Sequence, residues 1–136
     1  MDFKDNVLQL AERIKKQKDA IQTEEATKNA FIMPIITALG YDVFNPLEVV
    51  PEMDCDLTRK GDKIDYAIKK DGRTILLIEC KHCKQNLDLH NTQLSKYYAA
   101  SNARFGVLTN GIEYRFYADL DKTNIMDEKP FLVVNM

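Results

Sequence analysis

The chain has 136 residues, 19 Lys and Arg against 21 Asp and Glu, a net charge of −2 and 45% hydrophobic residues. This length predicts one domain with a core that needs no disulfide staples, and the acidic balance excludes a grip on nucleic acid by phosphate neutralisation over the whole surface. No apolar run approaches the roughly 20 residues that cross a bilayer, the start Met1-Asp2-Phe3-Lys4-Asp5 has no apolar signal region, and three cysteines (Cys55, Cys80, Cys83) make no disulfide framework, so a cytoplasmic protein is expected.

Phe3, Val7, Leu10 and Ile14 form an i, i+4, i+7, i+11 stripe, which predicts an amphipathic helix over the first twenty residues. A second helix is expected from Thr23, whose hydroxyl can cap it, with Glu24 and Glu25 in the first turn. Its apolar face takes Phe31, Ile35 and Leu39. Gly40 is a natural stop, and Pro34 predicts a kink or a break.

Strand patterns come next. Tyr41 to Phe44 is a short strand, and Val49-Val50, between Pro46 and Pro51, reads as an edge strand. Lys63 to Ile68 alternates, with Ile64, Tyr66 and Ile68 on one face and Asp65 and Ala67 on the other. Asp71-Gly72 is a hairpin signal. It leads into Thr74 to Lys81, whose apolar run Ile75 to Ile78 suits a strand covered on both sides. A third helix is expected from about Asn91 to Ala103, then a strand Arg104 to Thr109, an Asn110-Gly111 turn and a strand Ile112 to Tyr117. Phe131 to Met136 is strand-like. The order predicts an α/β fold, a mixed sheet with helices on its faces.

Three residues on two adjacent strands carry the chemistry. Period 2 puts Glu79 and Lys81 on one face of their strand and Cys80 on the other. Asp65 lies six residues before Asp71 and Glu79 seven after Gly72, so the hairpin sets the carboxylates nearly opposite each other. Two carboxylates held close at the edge of an apolar core repel, and must protonate or take a cation. Oxygen-only ligands favour Mg²⁺ or Mn²⁺ over Zn²⁺. Lys81, beside such an ion, can orient or deprotonate a water or neutralise charge on a phosphate. That is equipment for metal-assisted phosphodiester hydrolysis.

Asp65, Glu79-Cys80-Lys81 and the hairpin between them resemble the PD-(D/E)xK nuclease signature. The segments Thr23 to Asp42, Glu48 to Glu52 and Gln93 to Tyr97 are similar to the N-terminal nuclease domain of type I restriction enzyme R subunits. The likeness spans about residues 20 to 118. It implies a restriction-endonuclease-like fold in a single nuclease domain: an N-terminal helix over 1–20, a core over 21–118, and a segment 119–136 leading into a longer chain. It implies a Mg²⁺-dependent DNA endonuclease (Mn²⁺ substituting) of a restriction or phage-defence system. In it Asp65, Glu79 and the backbone carbonyl of Cys80 hold the metal and Lys81 acts on the attacking water. Gln93 and Tyr97, at i and i+4 of one helix, hold DNA or support the site, and Glu24, with Glu25 as the competing choice, completes the metal surroundings. The implied partners are double-stranded DNA and the translocase and specificity or methylation subunits of a restriction complex. Ile64 stands before Asp65 where the signature has Pro.

Other readings stay open beside this one. Asp65, Glu79 and Lys81 can form a structural salt-bridge network, and Gln93/Tyr97 can be a plain helix face with Tyr97 in the core. The fold can also serve as a non-cutting DNA-binding or assembly module. Cys80 and Cys83 have CxxC spacing, with His82 and His90 near, but a zinc site needs four ligands and the strand turns Cys80 away. Lys60, Lys63, Lys81, His82, Lys84 and Lys96 can line a phosphate track. No glycine opens a GxxxxGK[ST] loop, so no ATP site is expected in this chain.

Overall fold

A computed structural model describes residues 2–54, 63–88 and 92–136. The expectations for Cys55, Lys60, His90 and Asn91 lie outside the described residues. Helix α1 (Phe3–Gln17) starts at Asp2, whose carboxylate accepts the Asp5 N–H at 2.9 Å. Leu10 and Ile14 enter the core as the stripe predicts, but Phe3 is 46% exposed. A short 3₁₀ turn, Lys18–Ala20, ends the helix.

The next helical run has three pieces: α2 (Glu24–Thr27), a π-helical turn (Lys28–Ile32) and α3 (Met33–Ala38). Thr23 caps it, its hydroxyl accepting the Ala26 N–H at 3.0 Å. The expected break lies just before Pro34. That residue has no N–H for the Ala30 carbonyl four positions earlier, and its ring crowds it. The widened π turn relieves the clash, and the Ala30 carbonyl accepts Arg13 Nη2 at 3.0 Å, tying α1 to this run. Gly40, at φ +100°, ends the helix. Its N–H donates to Thr37 and the Tyr41 N–H to Ile36, which satisfies two of the last carbonyls.

Tyr41 to Phe44 is a turn instead of the expected strand. The Asp42 carboxylate accepts the Phe44 N–H and the Asn45 side chain accepts the Leu47 N–H, so the backbone is satisfied locally without a ladder. The strands are β1 (Val49–Asp54), β2 (Lys63–Lys70), β3 (Arg73–Cys80), β4 (Phe105–Thr109), β5 (Glu113–Tyr117) and β6 (Leu132–Asn135), with helix α4 (Thr92–Ala100) between β3 and β4. They form one six-stranded sheet in chain order. Among the described strands only the β3–β4 pair is parallel, as a crossover through α4 requires. The final segment returns to pair with β5 as β6.

Two apolar layers cover the sheet. Leu94, Tyr97 and Tyr98 of α4 pack with Ala67, Leu77 and Leu108. Ile32 and Ile36 pack with Tyr66, Ile68, Ile78 and Val107 on the other side, and α1 lies outside that layer against Phe31. The fold is α/β, a mixed sheet flanked by helices.

Two details of the β2–β3 hairpin bring Asp65 and Glu79 together. Asp71 and Gly72 both take positive φ, 53° and 79°, the tight turn that the dipeptide predicts. A bulge then shifts the register between Ile68 and Lys69: Lys69 pairs with Thr74 but Ile68 with Leu76, leaving Ile75 as an extra residue on β3. Beyond it the pairing runs regularly to Tyr66 and Ile78, which sets Asp65 across from Glu79.

The turn before β5 packs tightly on the helical run. A Cβ on Gly111 (φ +85°) would lie 2.9 Å from the Phe31 Cβ, whereas one on Gly72 would meet nothing within 4 Å. Gly72→Ala is therefore expected to cost only the left-handed backbone penalty, about 1–2 kcal/mol. Gly111→Ala adds overpacking of about 1–3 kcal/mol to it. Urea unfolding of the two variants checks the order, and equal losses would contradict it.

Candidate active site

Asp65 stands where β2 begins and Glu79 at the penultimate position of β3, so both carboxyls meet at one end of the sheet. The end of β3 is buried, and Glu79 is only 3% exposed. Asp65 Oδ2 accepts the Cys80 N–H at 2.7 Å, a side chain serving a strand-end donor. Asp65 Oδ1 accepts Lys28 Nζ at 3.1 Å, and the same ammonium pairs with Glu25 Oε2 at 3.1 Å. Lys28 is 6% exposed, and the π turn that it opens carries it to the sheet end. The ion-pair partner of Asp65 is thus Lys28, from the second helix, and not Lys81. The signal was present in the sequence: Lys28 shares the buried side of the helix with Phe31 and Ile32, at i+3 and i+4. Buried lysines are seldom unpaired.

The electrostatics divide the two carboxyls. Burial pushes the Glu79 carboxyl up, from an ordinary 4.5 to about 9, and its hydrogen bond to Asp65 and the Asp65 charge add to this. The Lys81 ammonium pulls it down, and Glu24 adds a further like charge. Burial also works against ionisation of Asp65. The hydrogen bond with Glu79, the Cys80 N–H and the Lys28 charge outweigh it, so Asp65 stays below the usual carboxylate range. Of the two, Glu79 is therefore the carboxyl whose neutral form is favoured and Asp65 the one whose charged form is favoured. Burial works against the Lys28 charge as well, but Asp65 and Glu25 raise its pKa above that of an ordinary lysine.

The donor set suits a hard divalent cation. Glu79 Oε2 is buried with no hydrogen-bond partner, a cost of about 1–3 kcal/mol for a neutral oxygen and more for a charged one. Among the described residues no three His, Cys, Asp or Glu side chains converge as a metal cluster. Two carboxylates fit Mg²⁺, which keeps several of its waters and takes one or two protein carboxylates with substrate phosphate oxygens.

The sequence profile of the type I restriction enzyme R protein N terminus (HSDR_N) matches residues 23–130. The chain belongs to this family. No curated protein and no solved structure matches it. The span of this R-protein N-terminal domain takes in the helical run, the hairpin, α4 and the strands through β5.

Within this R-protein domain Glu24 is exposed and acts on Glu79 as a like charge, while Glu25 is engaged by Lys28. Gln93 Nε2 donates to the Tyr97 hydroxyl at 3.0 Å and reaches the Lys63 carbonyl at 3.5 Å, two residues before Asp65. Tyr97 is 2% exposed among Ile64, Ala67 and Leu94, so the pair braces the start of β2. The Lys81 N–H donates to the Thr109 carbonyl at 2.8 Å, which prolongs the β3–β4 ladder past Cys80. The loop beyond is fixed by the Cys83 N–H on Thr27 Oγ1 at 3.1 Å and by Asn110 Nδ2 on the Gln85 carbonyl at 2.8 Å. Cys80 and Cys83 sit in separate apolar clusters. Of the basic residues, Lys63, Lys84 and Lys96 are exposed and Lys81 and His82 are half-buried.

The raised Glu79 group has a pH consequence in metal-free protein. The folded state holds a proton that the unfolded chain releases above about 4.5, so this stabilisation is complete below that pH and is lost as pH rises through about 9. Asp65 has the opposite sign, but its contribution falls away only below its ordinary 3.8, outside this window. In EDTA the melting temperature of the wild type is expected to drop between pH 6 and pH 9. Glu79→Gln is expected to lose most of that slope and to exceed the wild type at pH 9. Parallel curves would show that Glu79 titrates normally.

Proposed function

We propose that this domain is a Mg²⁺-dependent DNA endonuclease module with a restriction-endonuclease-like fold, working in restriction or phage defence in the cytoplasm. The observation that carries the reading is the buried Asp65–Glu79 pair with its unpartnered Glu79 oxygen. A protein that kept these groups only for stability would gain by replacing Glu79 with an apolar residue.

Asp65, Glu79 and the Cys80 carbonyl would hold the ion, with Mn²⁺ able to replace Mg²⁺. When bound, it supplies Lewis-acid polarisation of the scissile phosphate and lowers the pKa of the attacking water. Asp65 enters the reaction already ionised, because Lys28 and the Cys80 N–H favour its charged form. Lys81, beside Glu79, orients the attacking water and offsets the negative charge that grows on the phosphate. Glu24 adds negative potential at the mouth of the site and strengthens cation binding. Gln93 and Tyr97 keep the start of β2, and with it Asp65, in place. The products would be a 5′-phosphate and a 3′-hydroxyl.

The net charge of −2 gives the domain little general pull on DNA. That fits a module in a complex whose translocase and specificity or methylation subunits hold the double strand. Supercoiled plasmid with Mg²⁺ or Mn²⁺ tests the proposal. The wild type is expected to nick it, and Asp65→Asn and Lys81→Ala are expected to lose at least a hundredfold, within the range for removing one charge-stabilising group. Equal nicking by all three proteins would favour a non-cutting binding or assembly module.

A further inference from the structure

Asp65 has no idle oxygen. Oδ2 accepts the Cys80 N–H at 2.7 Å and Oδ1 accepts Lys28 at 3.1 Å, while the neighbouring Glu79 Oε2 is buried without a hydrogen-bond partner. A divalent cation shared by these carboxylates therefore meets a second cation already seated on one of them. We propose that Lys28 competes with the divalent cation for Asp65, sets the metal affinity of the site, and shifts its ion pairing to Glu25 when the metal binds. This rests on the reading of Asp65 and Glu79 as ligands.

Three features support the exchange. The Lys28 side chain is 8% exposed, so its charge needs a protein partner at all times. It already has two: Asp65, 14% exposed, and Glu25, 67% exposed, each at 3.1 Å. Giving up Asp65 leaves Glu25, so the displaced ammonium is not stranded. The charges also match, since one ammonium balances one carboxylate of the pair and a divalent ion balances both. Repulsion between two cations on one carboxylate drives the ammonium towards its outer partner. Lys28 acts here through Asp65, as a positioning residue.

Isothermal titration of the metal-free chain with Mn²⁺ tests this. Lys28→Met is expected to bind about tenfold more tightly than wild type, within the usual range of coupling between linked sites. Lys28→Arg retains a competing charge and is expected to stay within about twofold of wild type. Glu25→Gln removes the outer partner and is expected to bind several-fold more weakly. Unchanged or weaker binding by Lys28→Met, or equal tightening by Lys28→Arg, overturns the proposal. Should Lys28→Met not fold, Glu25→Gln decides it from an exposed position, and wild-type affinity there is a refutation. Glu79→Gln keeps the two ideas apart: wild-type affinity in that variant sinks the ligand reading itself, whatever Lys28 does.

Discussion

Two acidic side chains are held against each other at the dry end of a strand, and the architecture around them answers that cost. Desolvation and like-charge repulsion both act on Asp65 and Glu79. The compensation comes from three directions: the upward shift of Glu79, which favours its neutral form, the strand-end N–H of Cys80, and the ammonium of Lys28. Removing one partner from a buried ion pair costs about 3–5 kcal/mol. The second helix therefore does more than cover the sheet, because its first π-helical residue completes the electrostatics of the sheet end.

The rest of the scaffold supports that meeting point. Thr23 starts the helix in the right place, and Thr27 on the same run receives the N–H of Cys83, which fixes the loop after Lys81. From the opposite face Gln93, backed by Tyr97, reaches the backbone just before Asp65. Neither contact touches the carboxylates, yet each fixes one of the two strands that bear them. Among the described residues, Glu79 Oε2 is the buried side-chain oxygen that has no hydrogen-bond partner. Leaving it so costs stability, which is consistent with the proposed role of Glu79 as a metal ligand.

Much of this could be read from residue order, because it depends on local rules. Asp71-Gly72 and Asn110-Gly111 announce their turns through backbone preference, and the apolar run from Ile75 to Ile78 announces a doubly covered strand. Counting out from the first turn already brings Asp65 near Glu79. The burial of Lys28 was legible but its partner was not, since helix periodicity says which side is buried and not what a lysine there will meet 37 positions further along the chain. Tyr41 to Phe44 misled for the opposite reason. Its composition suits a strand, but the side chains of Asp42 and Asn45 satisfy the backbone first. The displaced helix break arises from Pro34 acting on a carbonyl one turn back, which no hydrophobic pattern records.

The supernumerary Ile75 on β3 governs more than local twist. Five residues separate Asp65 from the turn on one arm of the hairpin and six separate the turn from Glu79 on the other. Side chains alternate along a strand, so an odd surplus of this kind inverts the faces unless something absorbs it. A ladder that ran evenly from the turn would seat Asp65 across from Ile78, and the two acids would project on opposite sides. The bulge thus works as a parity corrector, swallowing the one residue that would otherwise put the arms out of phase. A residue added to either arm would separate the acids unless a second such kink took it up.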